Sequence, residues 1–116
     1  MSTKGTITLL LTEAADADLE DWGPLSEATG EPMATHGVTV WEEGQASAGI
    51  WQCEPGVSHW VFETNEVVLL VAGRMTITPD GGEPSEIGVG DIGVFPAGWT
   101  GTWEIHETVR KVYSIF

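Results

Sequence analysis

The stretch GDIGVFPAGWTGTW, Gly90 to Trp103, decides how the chain is read. A Gly-Asp turn leads into a short apolar run. Pro-Ala-Gly closes that run, and a second run rich in Thr and Trp follows. Pro96 fixes its own φ and offers no N–H to a sheet ladder, while Gly90 and Gly98 accept positive φ without penalty. The stretch therefore predicts strand, turn and strand.

The same rhythm extends outward from it. Runs rich in Val, Ile, Thr and Trp fall at 35–43, 47–54, 59–64, 66–73, 74–80, 85–90, 91–96, 101–108 and 109–116. Glycine or proline punctuates them, as in EEGQ, EPGVS, PDGGEP and GVGD. Many short strands at this spacing predict an all-β sandwich or barrel. No helical segment alternates with the strands, which excludes a βαβ architecture. Residues 13–22 predict a short helix or turn, and 22–32, with two prolines and two glycines, an irregular surface segment. A chain of 116 residues is expected to form one domain: an N-terminal strand and irregular arm over 1–32, and a barrel over 33–116.

Charge excludes whole classes of partner. Eighteen acidic residues stand against four basic ones, for a net charge of −14. Such a surface repels nucleic-acid phosphates and anionic lipid headgroups, so neither nucleic acid nor a membrane is an expected partner. With cations this scarce, Arg110 and Lys111 side by side near the end of the chain need a reason. The single cysteine, Cys53, excludes an intrachain disulfide and a cysteine-only zinc site. The apolar run at 7–11 is too short for a signal peptide or a membrane span, and a cytoplasmic protein is expected.

Alternation assigns faces without saying which is inward. Lys111, Tyr113 and Ile115 share one face of the last strand; Arg110, Val112, Ser114 and Phe116 share the other. Glu66, Val68 and Leu70 share a face, as do Gly49, Trp51 and Cys53.

Two spacings carry a family resemblance: Glu66, six residues, Gly73; and Gly90, five residues, Pro96, one residue, Gly98. They resemble the end of the first and the start of the second cupin motif, and the interval from Gly73 to Gly90 resembles the hairpin between them. The wider string, with PAGWTGTW and VRKVY, is similar to small cupins of the ureidoglycine aminohydrolase-like and ethanolamine-utilisation-type branch, many of unassigned function. The resemblance covers roughly residues 5–116 and implies an all-β, RmlC-like jelly-roll barrel in a single domain. It fixes no activity.

The resemblance also implies a test for a metal. Metal-binding cupins supply two histidines and the glutamate from the first motif and one histidine from the second, a donor set for Mn, Fe, Ni or Zn. Here the first-motif histidines would fall at Trp60 and Phe62, or at His59 and Val61, and the second-motif histidine at Gly101. At most His59 and Glu66 remain. No cofactor is expected, with a divalent transition metal on His59 and Glu66, and Cys53 as a soft ligand, as the alternative. Gly101 would leave space where an imidazole stands in relatives, with Trp99 and Trp103 beside it.

What remains is a barrel with a carboxylate and many indoles. Glu66 is expected inward by resemblance, and a buried carboxylate must be paired or protonated. Lys111 and Tyr113 are its candidate partners, and Glu66, Lys111 and Tyr113 form a candidate catalytic cluster for acid–base chemistry. The competing structural role is a satisfied ion pair that fixes strand register. Trp51, Cys53, His59, Trp99 and Trp103 are the candidate pocket residues. Trp22 and Trp41 are expected to cap or pack the outside, and His36 and His106 to lie at the surface.

Three functions compete. One is an enzyme acting on a small polar amino-, ureido- or sugar-type metabolite. The alternative is a non-catalytic small-molecule binder or sensor with a Trp-lined pocket, and a third is an accessory subunit. A homodimer is expected, with the apolar residues 5–11 as an exchanged strand.

Overall fold

Two long strands organise the computed structural model, which describes residues 11–116. In chain order the strands are β1 (Glu20–Pro24), β2 (Ala34–Glu43), β3 (Ala46–Cys53), β4 (Gly56–Val61), β5 (Glu66–Pro79), β6 (Ser85–Gly88), β7 (Ile92–Phe95) and β8 (Thr100–Ile115). Among the described residues a 3-10 turn spans Ala14–Asp16. The expected exchange strand at 5–11 falls, but for Leu11, outside the described residues.

β5 and β8 lie antiparallel along their whole length, and each belongs to two sheets. The first half of β5 and the second half of β8 sit between β7 and β3, with β2 and β1 beyond. The other halves sit between β6 and β4. The pairing slips at Leu70/Ala72, Ala72/Arg74 and Arg74/Met75. Bulges of this kind bend a strand without ending it, and so let one strand pass from one sheet to the next. The sequence reads breaks at 73/74 and 108/109, whereas the structure has bends there. Gly73 has φ 78°, and a methyl group on it would stand 2.7 Å from the Glu107 carbonyl oxygen, so the two backbones meet at the bend.

In the arm, residues 13–22 hold a 3-10 turn, one of the two forms expected there, and then the start of β1, which the sequence does not announce. β1 has no alternating apolar pattern to betray it; it exists because β2 offers it a ladder from Ala34 to Gly37. Arg110, on the outer face of β8, donates to the carbonyls of Ala14 and Ala17 at 3.0 Å each and to Gln52 Oε1 at 3.0 Å. This answers half of the question posed by the scarce cations: Arg110 pins the arm to the sheet.

The core lies between the two sheets. Met33, Cys53, Val68, Leu70, Met75, Trp103 and Val109 are among its buried members. Trp103 is completely buried within a cluster of Trp51, Trp60, Phe62 and Phe95, with ring centroids 4.6–6.2 Å away. Edge-on and tilted contacts at such distances add to what burial of the rings contributes.

Candidate ligand-binding site

Parity on β5 and β8 is settled by the fold. Glu66, Val68 and Leu70 point inward, as do Val109, Lys111 and Tyr113. Glu66 is the register partner of Ile115, and Lys111 that of Leu70, so neither faces the other across the ladder. They share the inner face, and their long side chains span the offset along it. Lys111 Nζ donates to Glu66 Oε2 at 2.6 Å, and both side chains are only 5% exposed. The ammonium also lies 4.4 Å from the ring centroid of Trp51, 4.8 Å from that of Trp103 and 5.9 Å from that of Tyr113. Burying two opposite charges is costly unless each finds its partner and further contacts. Here the partner carboxylate and the indole π-faces supply both.

This pair lines a cavity of about 170 Å³, together with Trp22, Trp51, Trp60, Tyr113 and Ile115. Trp51 meets Trp60 edge-on, with centroids 6.2 Å apart and planes at 79°. Trp60 is anchored by its Nε1, which donates to Ser58 Oγ at 2.8 Å. Trp22 is exposed, as expected of a residue that caps the outside, and also closes one side of the cavity. Its ring lies over Gly37, where a methyl group would stand 2.5 Å from Cη2, and it forms part of the cavity wall. Nothing in the sequence of β1 marks Trp22 as a wall, and the side chain fits only because position 37 is glycine. A wider groove of about 430 Å³ runs past β6 and β7. Its two carboxylates, Glu86 and Asp91, are exposed, and the Asp91 carboxylate already accepts from the Gly88 N–H at 2.8 Å.

Tyr113 contributes its ring to the cavity wall, while its hydroxyl is engaged elsewhere. The hydroxyl lies beside Gly49, where a methyl group would stand 2.9 Å from it. Burial, first, pushes the Tyr113 phenol up from its ordinary value, and Glu66 and Glu42 add to this against the pull of Thr39. Of the candidate cluster, the structure joins Glu66 to Lys111 and leaves the Tyr113 hydroxyl outside the pair.

The other candidate pocket residues scatter. Trp51 lines the cavity. Trp103 lies beneath it, touching the ammonium with its ring. Cys53 is fully buried in the core, and burial pushes its thiol up to about 12 against the pull of Lys111. Trp99 packs on Phe62 and Phe95, with centroids 5.7 Å and 5.0 Å away. His59 turns to the outer face of β4, where its Nε2 meets Asp80 at 2.9 Å. That hydrogen bond, followed by one from Thr100, holds the Asp80 carboxyl below its usual range. Trp60 is a wall residue, in keeping with its place beside the first motif, and Trp22 is a wall residue that the sequence does not place in the pocket.

The donor set does not fit a metal ion. Lys111 places a cation 2.6 Å from the one carboxylate that a cupin metal would use. His59 points away from it, and among the described residues no three His, Cys, Asp or Glu side chains converge. Nor does Gly101 leave space for an imidazole. A methyl group there would overlap the ring of Trp99 and stand 2.5 Å from the Thr78 carbonyl oxygen. The expected hollow is filled by that indole.

A bent two-sheet barrel with an inward glutamate at the end of the first motif defines a cupin. More particularly, the chain belongs to the family of the EutQ-like cupin domain, which it matches over residues 40–113. None of the curated proteins compared with the chain matches it. Among solved structures, a DUF861-family protein of unknown function from Pseudomonas syringae superposes with a TM-score of 0.80 at 19% identity, over 88% of this chain and 46% of that one. The chain thus spans about half the length of that relative. A DUF861-family protein from Thermotoga maritima gives 0.56 at 34% identity, over 58% of this chain and 76% of its own. A putative ethanolamine utilization protein Q from Salmonella typhimurium gives 0.66 at 20% identity, over 81% and 76%.

Proposed function

We propose that the chain is a small-molecule-binding cupin whose site is the cavity over the Glu66–Lys111 pair. One observation carries this reading: a buried ammonium–carboxylate pair, 2.6 Å apart, lines an indole-walled cavity. A core that needed only stability would do as well with apolar side chains of the same volume. A few converging polar groups among aromatic walls is the usual composition of a ligand site.

The volume bounds the ligand. A cavity of about 150 Å³ holds a guest the size of benzene, so one of about 170 Å³ suits a ligand of similar size. That fits a small polar amino-, ureido- or sugar-type metabolite. The ligand offers an acceptor to Lys111 and a donor to Glu66, and lays a flat or apolar part on the indoles. Any acid–base step falls to Glu66 and Lys111, because the Tyr113 hydroxyl lies beside Gly49 and takes no part in the pair. The alternative, a binder or sensor without turnover, is favoured by the mutual neutralisation of the pair. We also propose a homodimer, supported by the exposed apolar side chains Val61, Ile92 and Val94; a monomer by light scattering at micromolar concentration counts against it.

Tryptophan fluorescence across a library of small metabolites tests the site, with Glu66→Gln and Lys111→Met alongside. Quenching by a ligand in the parent and its loss in both variants is the expected result. Equal binding in parent and variants would show the pair to be purely structural. Product detected by mass spectrometry separates the enzyme from the binder.

A further inference from the structure

We infer that Lys111 is a nucleophile that forms an imine with a small aldehyde or ketone, with Glu66 as its proton shuttle. This rests on the cavity being a ligand site and names the chemical class it takes.

The basic residues point to it. Of the four in the chain, Arg74 pairs at the surface with Glu86 and Glu107, and Arg110 pins the arm. Lys111 is the only lysine among the described residues, and it is buried. An amine on a flexible four-carbon stem, with a carboxylate 2.6 Å away to take its proton, can form a Schiff base; a guanidinium would satisfy the carboxylate better and could not be deprotonated. Trp51 and Trp60 wall the cavity above the ammonium, and its open mouth leaves a path for a small carbonyl compound.

The balance closes with the groups present. Glu66 Oε2, 2.6 Å away, takes one proton from the Lys111 ammonium. The free amine pair adds to the carbonyl carbon, and the carbonyl π pair moves to oxygen. A proton passes from nitrogen to that oxygen, giving a neutral carbinolamine. Glu66 then returns its proton to the hydroxyl, the C–O bond breaks, water leaves, and the nitrogen pair forms the C=N bond of an iminium. Overall, ammonium plus carbonyl gives iminium plus water, with Glu66 again a carboxylate and no oxidant or reductant consumed. Hydrolysis runs the same steps backward.

The test uses the full chain with pyruvate or glycolaldehyde and sodium cyanoborohydride, which reduces an iminium to a stable secondary amine. Peptide mass spectrometry reads Lys111, Lys4 and the N-terminal amine separately. Lys111 is expected to be alkylated more than about tenfold faster than Lys4, as positioning in a cavity should give. Glu66→Gln should slow Lys111 labelling about a hundredfold, the scale of one acid–base group, with Lys4 unchanged. Glu66→Asp, which keeps a carboxylate, should retain part of the rate and serves if the Gln variant loses its near-UV circular dichroism. Labelling of Lys111 no faster than Lys4 in folded protein overturns the inference. If these carbonyl compounds quench indole fluorescence without reductant yet leave no adduct, the imine is wrong and the cavity reading stands. If they neither quench nor label, imine formation is overturned, and the metabolite library then decides the cavity reading separately.

Discussion

Lys111 reaches Glu66 at 2.6 Å although the ladder pairs Glu66 with Ile115 and Lys111 with Leu70. The two residues share the inner face of neighbouring strands, and the length of their side chains makes the contact. Removing one partner therefore leaves a buried charge with no neighbour of opposite sign. Lys111→Met, with Glu66 intact, should destabilise the fold by about 3–5 kcal/mol. Adding Glu66→Leu to it should recover most of that loss. Urea denaturation of the two singles and the double measures the coupling, and additive losses would show that the pair is not coupled.

Cys53 supplies a prediction about pH. Its thiol is pushed from 9.0 to about 12, chiefly by burial, and the Tyr113 phenol is also raised. Groups with a raised folded value hold their protons longer in the native state than in the unfolded chain. Their contribution is complete below the unfolded value and is lost as pH rises toward the folded one. Stability should fall from pH 9 upward, by about 1.4 kcal/mol per pH unit for the thiol. Cys53→Ala should remove the thiol's share of that slope. In native protein at pH 8 the thiol should resist iodoacetamide and react once denaturant is added.

Gly101 is closed by its neighbours. Gly101→Ala should cost about 1–3 kcal/mol, the usual penalty for overpacking, because the methyl meets Trp99 and the Thr78 carbonyl. Thermal unfolding checks this. Gly101→His should bind no transition metal even after dialysis against Mn or Zn.

His59 lies outside the chemistry. His59→Ala should leave ligand-dependent quenching unchanged and return the Asp80 carboxyl to its usual range, seen as an upward shift in its NMR titration. In the parent, the contribution of Asp80 is present at neutral pH and is lost as pH falls through its depressed value. Loss of ligand quenching in the variant would place His59 in the site after all.

Trp22 is a wall rather than a pillar. It is 39% exposed, and its neighbour at position 37 has no side chain. Trp22→Ala should weaken ligand binding more than it lowers the melting temperature. The reverse order would assign Trp22 to stability.

Much of this was legible in the chain. The spacing of Glu66 to Gly73 and of Gly90, Pro96 and Gly98 announced the barrel, because turns need those residues wherever the barrel forms. Period-two alternation put Lys111 with Tyr113 and Glu66 with Leu70, and both sets point inward. Those are local properties, set by backbone sterics and the pleat. Position along a strand did not reveal the rest. Gly101 reads as a hollow in the sequence, whereas Trp99 lies in it, and Tyr113 reads as a proton donor to the pair, whereas its hydroxyl sits beside Gly49. Trp22, from a segment with no strand pattern, became a wall through its pairing with β2. The chain by itself determined which residues could face the interior. The tertiary structure decided which of those meet, because the pairing of β5 with β8, β3 with β8 and β1 with β2 sets which side chains share a wall, and no local pattern carries the choice of partner strand.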